Sequence, residues 1–206
     1  MSGTLLIAVV SYLLGSIPFG YLLVRIFRGE DVRKSGSGNI GATNVSRKSP
    51  LLGALTLLLD ALKGAAAVWL TCFLSGRTAA NLPYQAMSMA ALSAILGHMF
   101  PPWLKFRGGK GVATGLGSFL MIAPKAVLIA VGFFIAVVLI SRYVSLGSII
   151  AVASFPLLVY EMQEYGRAPI ALASIAAASL LIIARHHENM RRLLAGTESR
   201  LGAKRA

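Results

Sequence analysis

Apolar residues dominate seven stretches of the chain, and polar residues gather in the short segments between them. The apolar stretches cover residues 5–27, 51–74, 84–100, 111–123, 126–140, 146–160 and 168–184. Several of them approach the ~20 residues that a helix needs to cross ~30 Å of hydrocarbon. Pro18 falls inside the first stretch and predicts a kink there. The pattern predicts an all-α membrane protein, a polytopic bundle of seven transmembrane helices, with a single domain over residues 1–206.

The fourth stretch, 111–123, is short, because a helix of that length spans only about 20 Å. The distribution of Lys and Arg nevertheless favours a crossing. With seven crossings and the N-terminus outside, the loop cations left outside are Arg77, Lys125 and Arg167. Without the fourth crossing every later loop changes side and the bias nearly disappears. We therefore expect the N-terminus outside, the C-terminus inside, and the polar segments 35–49, 105–114 and 185–200 at the cytoplasmic face.

Composition supports a membrane location and narrows the class of partner. The chain is 56% hydrophobic with a mean hydropathy of +0.74, more apolar than one soluble core of this size accommodates. Its net charge of +13 favours contact with anionic membrane lipids. We expect no nucleic-acid partner, because the basic residues alternate with apolar stretches instead of lining a soluble face. Cys72 is the single cysteine and the acidic residues are scattered, so neither a disulfide framework nor a metal site is predicted.

The first polar segment, residues 35–49, reads SGSGNIGATNVSRKS and combines glycines with hydrogen-bond donors. Glycines let backbone N–H groups turn toward an anion, and an arginine can grip a phosphate through two N–H groups. The candidate residues are Ser35, Ser37, Gly38, Asn39, Gly41, Thr43, Asn44 and Arg47. A plain interhelical loop has a similar composition, so an anion site and a loop without a ligand are both consistent with this segment.

The second segment, KFRGGKGVAT at 105–114, contains a lysine among glycines but is not a nucleotide-binding P-loop. Lys110 is followed by Gly111 instead of Ser or Thr, and no strand precedes it. A helix that begins at Val112 would still direct its positive end toward the loop. The candidate phosphate ligands are Gly108, Gly109, Lys110, Gly111 and Thr114. The alternative is a loop that is basic only because cytoplasmic loops of membrane proteins are enriched in Lys and Arg. It explains Lys105 and Arg107 but not the three glycines.

The third segment, RHHENMRRLLAGTESR at 185–200, carries His186 and Asn189 three residues apart. On a helix these two side chains share one face, whereas His187 points elsewhere. Histidine is the usual proton acceptor near neutral pH, and an asparagine amide can orient a hydroxyl or an oxyanion. A histidine that only faces lipid headgroups is the ordinary alternative.

Polar residues elsewhere have simpler structural interpretations. Asp60 and Lys63 stand three apart in an apolar helix, where isolated charges are costly, so pairing is favoured over the lining of a polar cavity. His98 is assigned a structural role. Ser145, taken alone, would be a helix N-cap.

Together these segments closely resemble the PlsY family, bacterial membrane glycerol-3-phosphate acyltransferases that use acyl phosphate as the donor. The matching stretches are SGSGNIGATN followed by Arg47, then LGHMFPPWLKFRGGKGVAT, SRYVSLGS and RHHENMRRLLAGTE, in that order and across nearly the whole chain. The resemblance implies a seven-helix protein of the bacterial cytoplasmic (inner) membrane with its motifs at the cytoplasmic face. It implies acyl transfer to the 1-hydroxyl of glycerol 3-phosphate, which gives lysophosphatidic acid and inorganic phosphate in the first acylation of bacterial phospholipid synthesis.

The resemblance also implies roles for individual residues. The first motif should bind glycerol 3-phosphate and shape the reactive centre, and the glycine loop with Lys110 should hold phosphate, most simply that of the donor. The expected catalytic residues are His186, Asn189 and Ser35. The expected substrate-binding residues are Ser37, Gly38, Asn39, Gly41, Thr43, Asn44, Arg47, Gly108, Gly109, Lys110, Gly111, Thr114 and Ser145. No cofactor or metal is implied; the partners are acyl phosphate, glycerol 3-phosphate and membrane lipids, with functional coupling to the enzyme that forms acyl phosphate.

Acyl phosphate is a mixed anhydride with an activated carbonyl, so we expect direct transfer without a covalent acyl-enzyme. The proton of the acceptor hydroxyl can pass to His186 or to a phosphate oxygen of a substrate, and both routes are open. The acyl-CoA class with a His-x-x-x-x-Asp pair is disfavoured, because no histidine here has Asp five residues later. The rival class is a transporter or channel for an organic phosphate, which would favour repeated halves that this chain does not display.

Overall fold

The computed structural model describes residues 3–74 and 83–202, and within these ranges the regular structure is entirely helical. Arg77, which the charge argument counts among the outside cations, lies outside the described residues. The α-helices are α1 (Gly3–Gly15), α2 (Phe19–Arg28), α3 (Ala42–Ser46), α4 (Pro50–Leu74), α5 (Tyr84–Met99), α6 (Val112–Leu120), α7 (Pro124–Ser141), α8 (Val144–Glu161), α9 (Pro169–Ala184) and α10 (His187–Leu194). Short 3-10 helices lie at Val32–Lys34 and Pro102–Leu104.

Four helical stretches are long and apolar enough to cross a membrane: Gly3–Arg28, Pro50–Leu74, Pro124–Ser141 and Val144–Glu161. The first joins α1 and α2 across a break that contains Pro18, which confirms the predicted interruption. A fifth stretch combines α9 with α10, which are bent by 52°. The 16 residues of α5 and the nine residues of α6 are shorter than a full crossing. An all-helical membrane protein is therefore confirmed, with four to five candidate spans among the described residues.

Glycines allow the helices to approach closely, as the Gly- and Ala-rich sequence predicts. Gly97 of α5 lies against the carbonyl oxygen of Tyr12 in α1, and Gly117 of α6 lies against that of Ala61 in α4. A Cβ atom at either glycine would collide with the facing backbone. Such contacts stabilise helix pairs in lipid through van der Waals packing, since lipid tails supply no hydrophobic driving force between helices.

The helix α5 is central to the bundle, because it packs against α1, α4, α6 and α9. The main apolar cluster surrounds it and includes Val68, Met87, Ile95, Met99, Phe119, Phe155, Ile175 and Ile182. Large apolar side chains also face outward, with Leu139 and Ile140 exposed by 76% and 86% on α7. An apolar outer surface is the arrangement expected of helices in contact with lipid.

A smaller apolar cluster supports the polar segment between α2 and α4. It consists of Val24, Val32, Ile40, Val45, Leu52 and Leu104. Three of these residues, Val32, Ile40 and Val45, belong to the segment itself, so its apolar side chains are buried. This packing fixes the segment at one end of the bundle, beside the glycine loop that precedes α6.

Candidate active site

One cavity of about 1270 Å³ is lined by all three polar segments that the sequence singles out. The predicted site residues that line it are Ser37, Asn39, Gly41, Thr43, Asn44, Arg47, Lys110, Gly111, Ser145, His186 and Asn189. Those that lie outside its lining are Ser35, Gly38, Gly108, Gly109 and Thr114. Residues as far apart in the chain as Ser37 and Asn189 thus share one cavity, which sequence spacing alone does not require.

The segment 35–49 is organised around the buried amide of Asn44, which is 3% exposed. Its Nδ2 donates to the carbonyl oxygens of Val32, Ser35 and Asn39 at 3.2, 3.1 and 2.8 Å. Its Oδ1 accepts from the backbone N–H of Ser37 at 2.9 Å. Because the polar atoms of this amide bond to backbone groups, Asn44 shapes the segment. Side chains near it, such as Ser37 and Thr43, line the cavity.

The other predicted residues of this segment occupy distinct positions. Asn39 Oδ1 accepts from the N–H of Gly41 at 2.8 Å, which turns the chain into the short helix α3. Ser35 Oγ donates to Val32 O at 3.2 Å and so closes the preceding 3-10 turn. Gly38 adopts φ +70°, in the left-handed region that favours glycine. Arg47 follows the last residue of α3 and lines the cavity.

The glycine loop is pinned to α5 by backbone pairing. Gly108 N donates to Met99 O and Gly109 N donates to His98 O, each at 3.0 Å. From the other side, Arg185 Nε and Nη2 donate to the carbonyl oxygens of Gly109 and Gly108 at 3.3 Å. The next residue along the chain, Lys110, lines the cavity.

The start of α6 at Val112 confirms the predicted helix after the glycine loop. Gly111 is its N-cap with φ +87°, and no side chain caps the helix there. The positive end of the α6 dipole therefore lies at the cavity wall beside Lys110. Thr114 lies deeper; its hydroxyl is buried without a hydrogen-bond partner among the described residues.

A continuous hydrogen-bonded chain joins the second and third segments. Lys110 Nζ donates to Asn189 Oδ1 at 2.5 Å, and Asn189 Nδ2 donates to Glu198 Oε1 at 2.7 Å. Ser145 Oγ also donates to Glu198 Oε1, at 2.8 Å, and Arg192 Nε donates to Glu198 Oε2 at 2.7 Å. The helix α8 begins at Val144, so Ser145 is not an N-cap, and the sequence alternative for it was wrong.

The imidazole of His186 has a defined tautomer. His186 Nδ1 lies 2.8 Å from Ile182 O, and a carbonyl only accepts, so Nδ1 carries the hydrogen. Burial and the positive charge of Lys110 lower the pKa of His186 to about 4, so the ring is neutral at pH 7. Its Nε2 then presents a lone pair in the cavity wall. His187 is exposed, as the helical spacing predicts.

Electrostatics make this cavity favourable for anions. Its charged lining comprises the cations Arg47, Lys110, Arg192 and Arg200 against the anions Asp60 and Glu198. Burial lowers the pKa of Lys110 to about 8, which still leaves the ammonium largely protonated at pH 7. Burial raises the pKa of Glu198, but the hydrogen bonds from Arg192, Asn189 and Ser145 outweigh it, so the pKa ends below its usual value. Glu198 is thus a carboxylate.

The sequence alone did not identify Glu198, Arg192, Asp60 and His98 as lining residues of this cavity. Glu198 had one usable signal, since it is a single carboxylate in a basic tail that ends the last matching motif. Asp60 pairs with Lys63 at 2.7 Å, which confirms the predicted pairing, yet Asp60 also reaches the cavity. Across residues 3–74 and 83–202 no group of three His, Cys, Asp or Glu side chains is placed to hold a metal ion.

The fold and this cavity define a multi-pass integral membrane protein whose site can hold anionic reactants. The model of the family described as glycerol-3-phosphate acyltransferase matches residues 5–196. The chain therefore belongs to the glycerol-3-phosphate acyltransferase family, and it is an acyltransferase of phospholipid synthesis.

Individual relatives agree with the family assignment. The chain is 46% identical over 204 residues to a glycerol-3-phosphate acyltransferase of Syntrophotalea carbinolica, covering 98% of this chain and 100% of that one. It is 46% identical over 205 residues to the glycerol-3-phosphate acyltransferase of Sinorhizobium medicae, covering 99% and 95%.

Two solved structures share the fold. Both are crystal structures of PlsY (YgiH), an integral membrane glycerol 3-phosphate acyltransferase. The glycerol 3-phosphate form matches with a TM-score of 0.87 and 37% identity, over 98% of this chain and 96% of that one. The lysophosphatidic acid form matches with a TM-score of 0.83 and 36% identity over the same shares.

Proposed function

We propose that this acyltransferase takes its acyl group from acyl phosphate and passes it directly to the 1-hydroxyl of glycerol 3-phosphate. The observation that carries the proposal is the shared cavity in which Lys110, Asn189 and Ser145 face the segment 35–49. Two phosphate-bearing reactants are best held by two electropositive groups, and the cavity lining provides Lys110 from the glycine loop and Arg47 from the segment 35–49. The names of the solved relatives support the acceptor and product, since those proteins occur in glycerol 3-phosphate and lysophosphatidic acid forms.

The donor phosphate is assigned to the glycine loop. Lys110 supplies a charge there, Gly111 contributes backbone to the cavity lining, and the N-terminus of α6 adds its dipole. Gly108, Gly109 and Thr114 lie outside the cavity lining, so we assign them to shaping the loop and the first turn of α6. Glycerol 3-phosphate is assigned to the opposite wall, where Arg47 offers a guanidinium and Ser37, Asn39 and Thr43 offer polar groups.

The transfer needs one bond to form and one to break. The 1-hydroxyl oxygen attacks the acyl carbonyl carbon at ~3–3.5 Å, and the bond from that carbon to the phosphate oxygen breaks. Inorganic phosphate leaves with the electron pair, beside Lys110. Asn189 uses one amide N–H on Glu198 and retains a second, which we assign to the developing oxyanion. Because the mixed anhydride is already activated, no acyl-enzyme is formed.

The proton of the acceptor hydroxyl is assigned to a phosphate oxygen. The phosphate monoester of glycerol 3-phosphate has a second pKa of ~6, so it is a stronger base than His186, whose pKa is about 4, and it takes the proton into the product. His186 Nε2 accepts a hydrogen bond and orients the hydroxyl. The sequence predicts that Ser35 is catalytic, but Ser35 lies outside the cavity lining and its hydroxyl donates to Val32 O, so the proposal assigns it to shaping the start of the segment. Ser35→Ala should therefore retain measurable turnover, and loss of all turnover in a folded variant would restore the catalytic role.

We extend the proposal to topology: α1 with α2, then α4 to α9, cross the bacterial inner membrane seven times. The N-terminus is outside and the cavity opens on the cytoplasmic side, where a soluble enzyme that forms acyl phosphate can supply the donor. In a Cys72→Ala background, Arg191→Cys should react with an impermeant maleimide only in inside-out vesicles, and Lys125→Cys only in right-side-out vesicles. The opposite labelling pattern would overturn this orientation.

The decisive experiment measures the reaction. Purified protein in lipid receives glycerol 3-phosphate with either palmitoyl phosphate or palmitoyl-CoA, and lysophosphatidic acid and free phosphate are quantified. We expect equimolar products with palmitoyl phosphate and none with palmitoyl-CoA. Turnover with palmitoyl-CoA alone, or none with either donor in a folded preparation, would refute the assigned donor.

A second experiment separates the two proton routes. His186→Ala should keep much of kcat and raise the KM for glycerol 3-phosphate, because His186 only orients the acceptor. Loss of kcat with unchanged substrate binding would instead make His186 the base.

A further inference from the structure

Three ionisable side chains to which the proposed reaction assigns no role meet inside the bundle, at the border of the cavity. Asp60 and Lys63 come from α4 and His98 comes from α5, and they are 2%, 5% and 4% exposed. Lys63 Nζ lies 2.7 Å from Asp60 Oδ1 and 3.0 Å from His98 Nδ1. Charged groups in the interior of a membrane bundle are costly, and they commonly mark function.

The ammonium of Lys63 contacts three groups: it forms an ion pair with Asp60 and hydrogen bonds with two other partners. Besides Asp60 and His98, Lys63 Nζ donates to Ile17 O at 2.7 Å, in the break between α1 and α2. An ammonium donates and never accepts, so His98 Nδ1 must accept and the hydrogen of the neutral imidazole sits on Nε2. The lysine therefore fixes both the tautomer and the orientation of the ring.

His98 in turn supports the glycine loop. A Cβ atom on Gly109 would collide with His98 Nε2, so the ring edge occupies the space directly over this glycine. The backbone repeats the connection, because Gly109 N donates to His98 O and Gly108 N donates to Met99 O. The position of the loop, and with it that of Lys110, thus depends on where the ring of His98 lies.

The network also borders the reaction space. Asp60 and His98 line the same cavity as Lys110, so displacement of either side chain would change the shape of that cavity. A role in stability alone does not explain this arrangement, because buried ion pairs are commonly replaceable by apolar residues without loss of stability.

We infer that Asp60 and Lys63 are positioning residues, which hold the imidazole of His98 so that it sets the glycine loop and aims Lys110 at the donor phosphate. The inference rests on the proposed function, which places that phosphate at the loop. The contacts that position the loop thus run from Asp60 and Lys63 on α4 through His98 on α5 to Gly109.

The test separates stability from positioning. Lys63→Met leaves the Asp60 carboxylate with the imidazole of His98, 3.6 Å away, in place of an ammonium, and should lower the thermal midpoint. The neutral double variant Asp60→Asn with Lys63→Met removes both charges and should regain most of that midpoint. Its KM for palmitoyl phosphate and its Kd for inorganic phosphate should still rise about tenfold or more, since small displacements of a positioned group cost that much. A restored midpoint with wild-type KM and Kd overturns the inference.

A second variant and a matched control keep the test decisive. His98→Asn keeps an amide near the position of Nδ1 but loses the ring edge over Gly109, so it should show the same rise in KM and Kd. Wild-type values in His98→Asn would overturn the inference even if the double variant did not fold. Ser88→Ala is the control, because Ser88 is buried on the same helix and, among residues 3–74 and 83–202, its hydroxyl bonds only to Gln85 O.

Phosphate binding is measured without turnover, so the proposed reaction and the positioning role can be refuted independently of each other. Wild-type protein that binds phosphate but forms no lysophosphatidic acid would refute the proposed reaction. The Kd comparison between wild type and the variants would still decide the positioning role.

Discussion

The two loops that face each other across the cavity are held in different ways. The segment 35–49 is organised from within, because the single amide of Asn44 joins four backbone groups of its own neighbourhood. The glycine loop is held from outside, by the backbone of α5, the ring of His98 and the guanidinium of Arg185. Disturbance of the first loop should therefore remain local, whereas the second loop should respond to changes in distant helices.

Lys110→Ala tests the second loop most severely. Loss of the ammonium removes the charge that faces the donor phosphate, and we expect kcat/KM to fall about 10²- to 10³-fold. Steady-state kinetics with palmitoyl phosphate measure the loss, and circular dichroism checks the fold. Lys105→Ala is the control, since Lys105 is exposed outside the cavity lining. Equal activity of the two variants would contradict the phosphate role of Lys110.

Gly109→Ala tests whether the second loop depends on α5. The added methyl group collides with the ring of His98 and displaces the loop, so the KM for the donor should rise about 10- to 100-fold. Gly132→Ala on α7 adds the same methyl group where nothing lies within 4 Å, and it should behave as wild type. If both variants keep the wild-type KM, the loop is not set by its contact with His98.

Asn44→Ala tests the first loop. It leaves buried carbonyl groups and one N–H without their partner, which should lower the thermal midpoint and raise the KM for glycerol 3-phosphate about tenfold. The KM for palmitoyl phosphate should change little, because the second loop has separate supports. Asn44→Asp should be similarly impaired, since a carboxylate accepts from Ser37 but cannot donate to the carbonyl groups. An equal rise in both KM values would show that the loops are coupled.

The pH profile provides the smallest and most specific effect. Lys110 must be protonated to hold a phosphate, and its pKa of about 8 lies below that of an ordinary lysine. The KM for the donor is therefore expected to be lowest below pH 8 and to rise as the ammonium deprotonates, with about a twofold loss of kcat/KM between pH 7 and 8. Lys110→Arg should remove this decline, because a guanidinium stays charged. A decline retained in Lys110→Arg would assign it to another group.

Much of the architecture could be predicted from hydropathy. The apolar stretch 51–74 corresponds to α4 at Pro50–Leu74, and 146–160 corresponds to α8 at Val144–Glu161. The start of α6 at Val112 was predicted from the glycines before it, because glycine ends the preceding loop and the apolar run begins there. The predicted membrane crossing agrees less well with α6. Its nine residues span about 14 Å, so neighbouring segments must cover the rest of the hydrocarbon thickness.

The site was predicted unevenly, for a physical reason. Motifs identify polar residues that are unusual in an apolar chain, such as Lys110 and His186, and the structure places both at one cavity. They do not reveal which polar side chain serves the backbone. The family resemblance implies that Asn44 binds substrate, whereas in the structure its amide bonds to backbone groups of its own loop.

Glu198 and His98 were missed as lining residues because their importance depends on partners far away in the chain. Glu198 receives hydrogen bonds from Ser145 on α8 and Asn189 on α10, and His98 meets Lys63 from α4. Neither pairing has a fixed spacing that a sequence pattern could display.

Hydropathy and the excess of basic residues were enough to predict a helical membrane protein, because these properties depend on residue type and local spacing. The resemblance of its ordered motifs to the PlsY family, and not the composition, implied an acyltransferase. Only the packed chain decides which of those residues share a cavity. That choice rests on close contacts between helices, such as Gly97 against Tyr12 and Gly117 against Ala61, and on donors and acceptors that find each other across them. Distances between side chains of different helices follow from packing, and no local pattern encodes them.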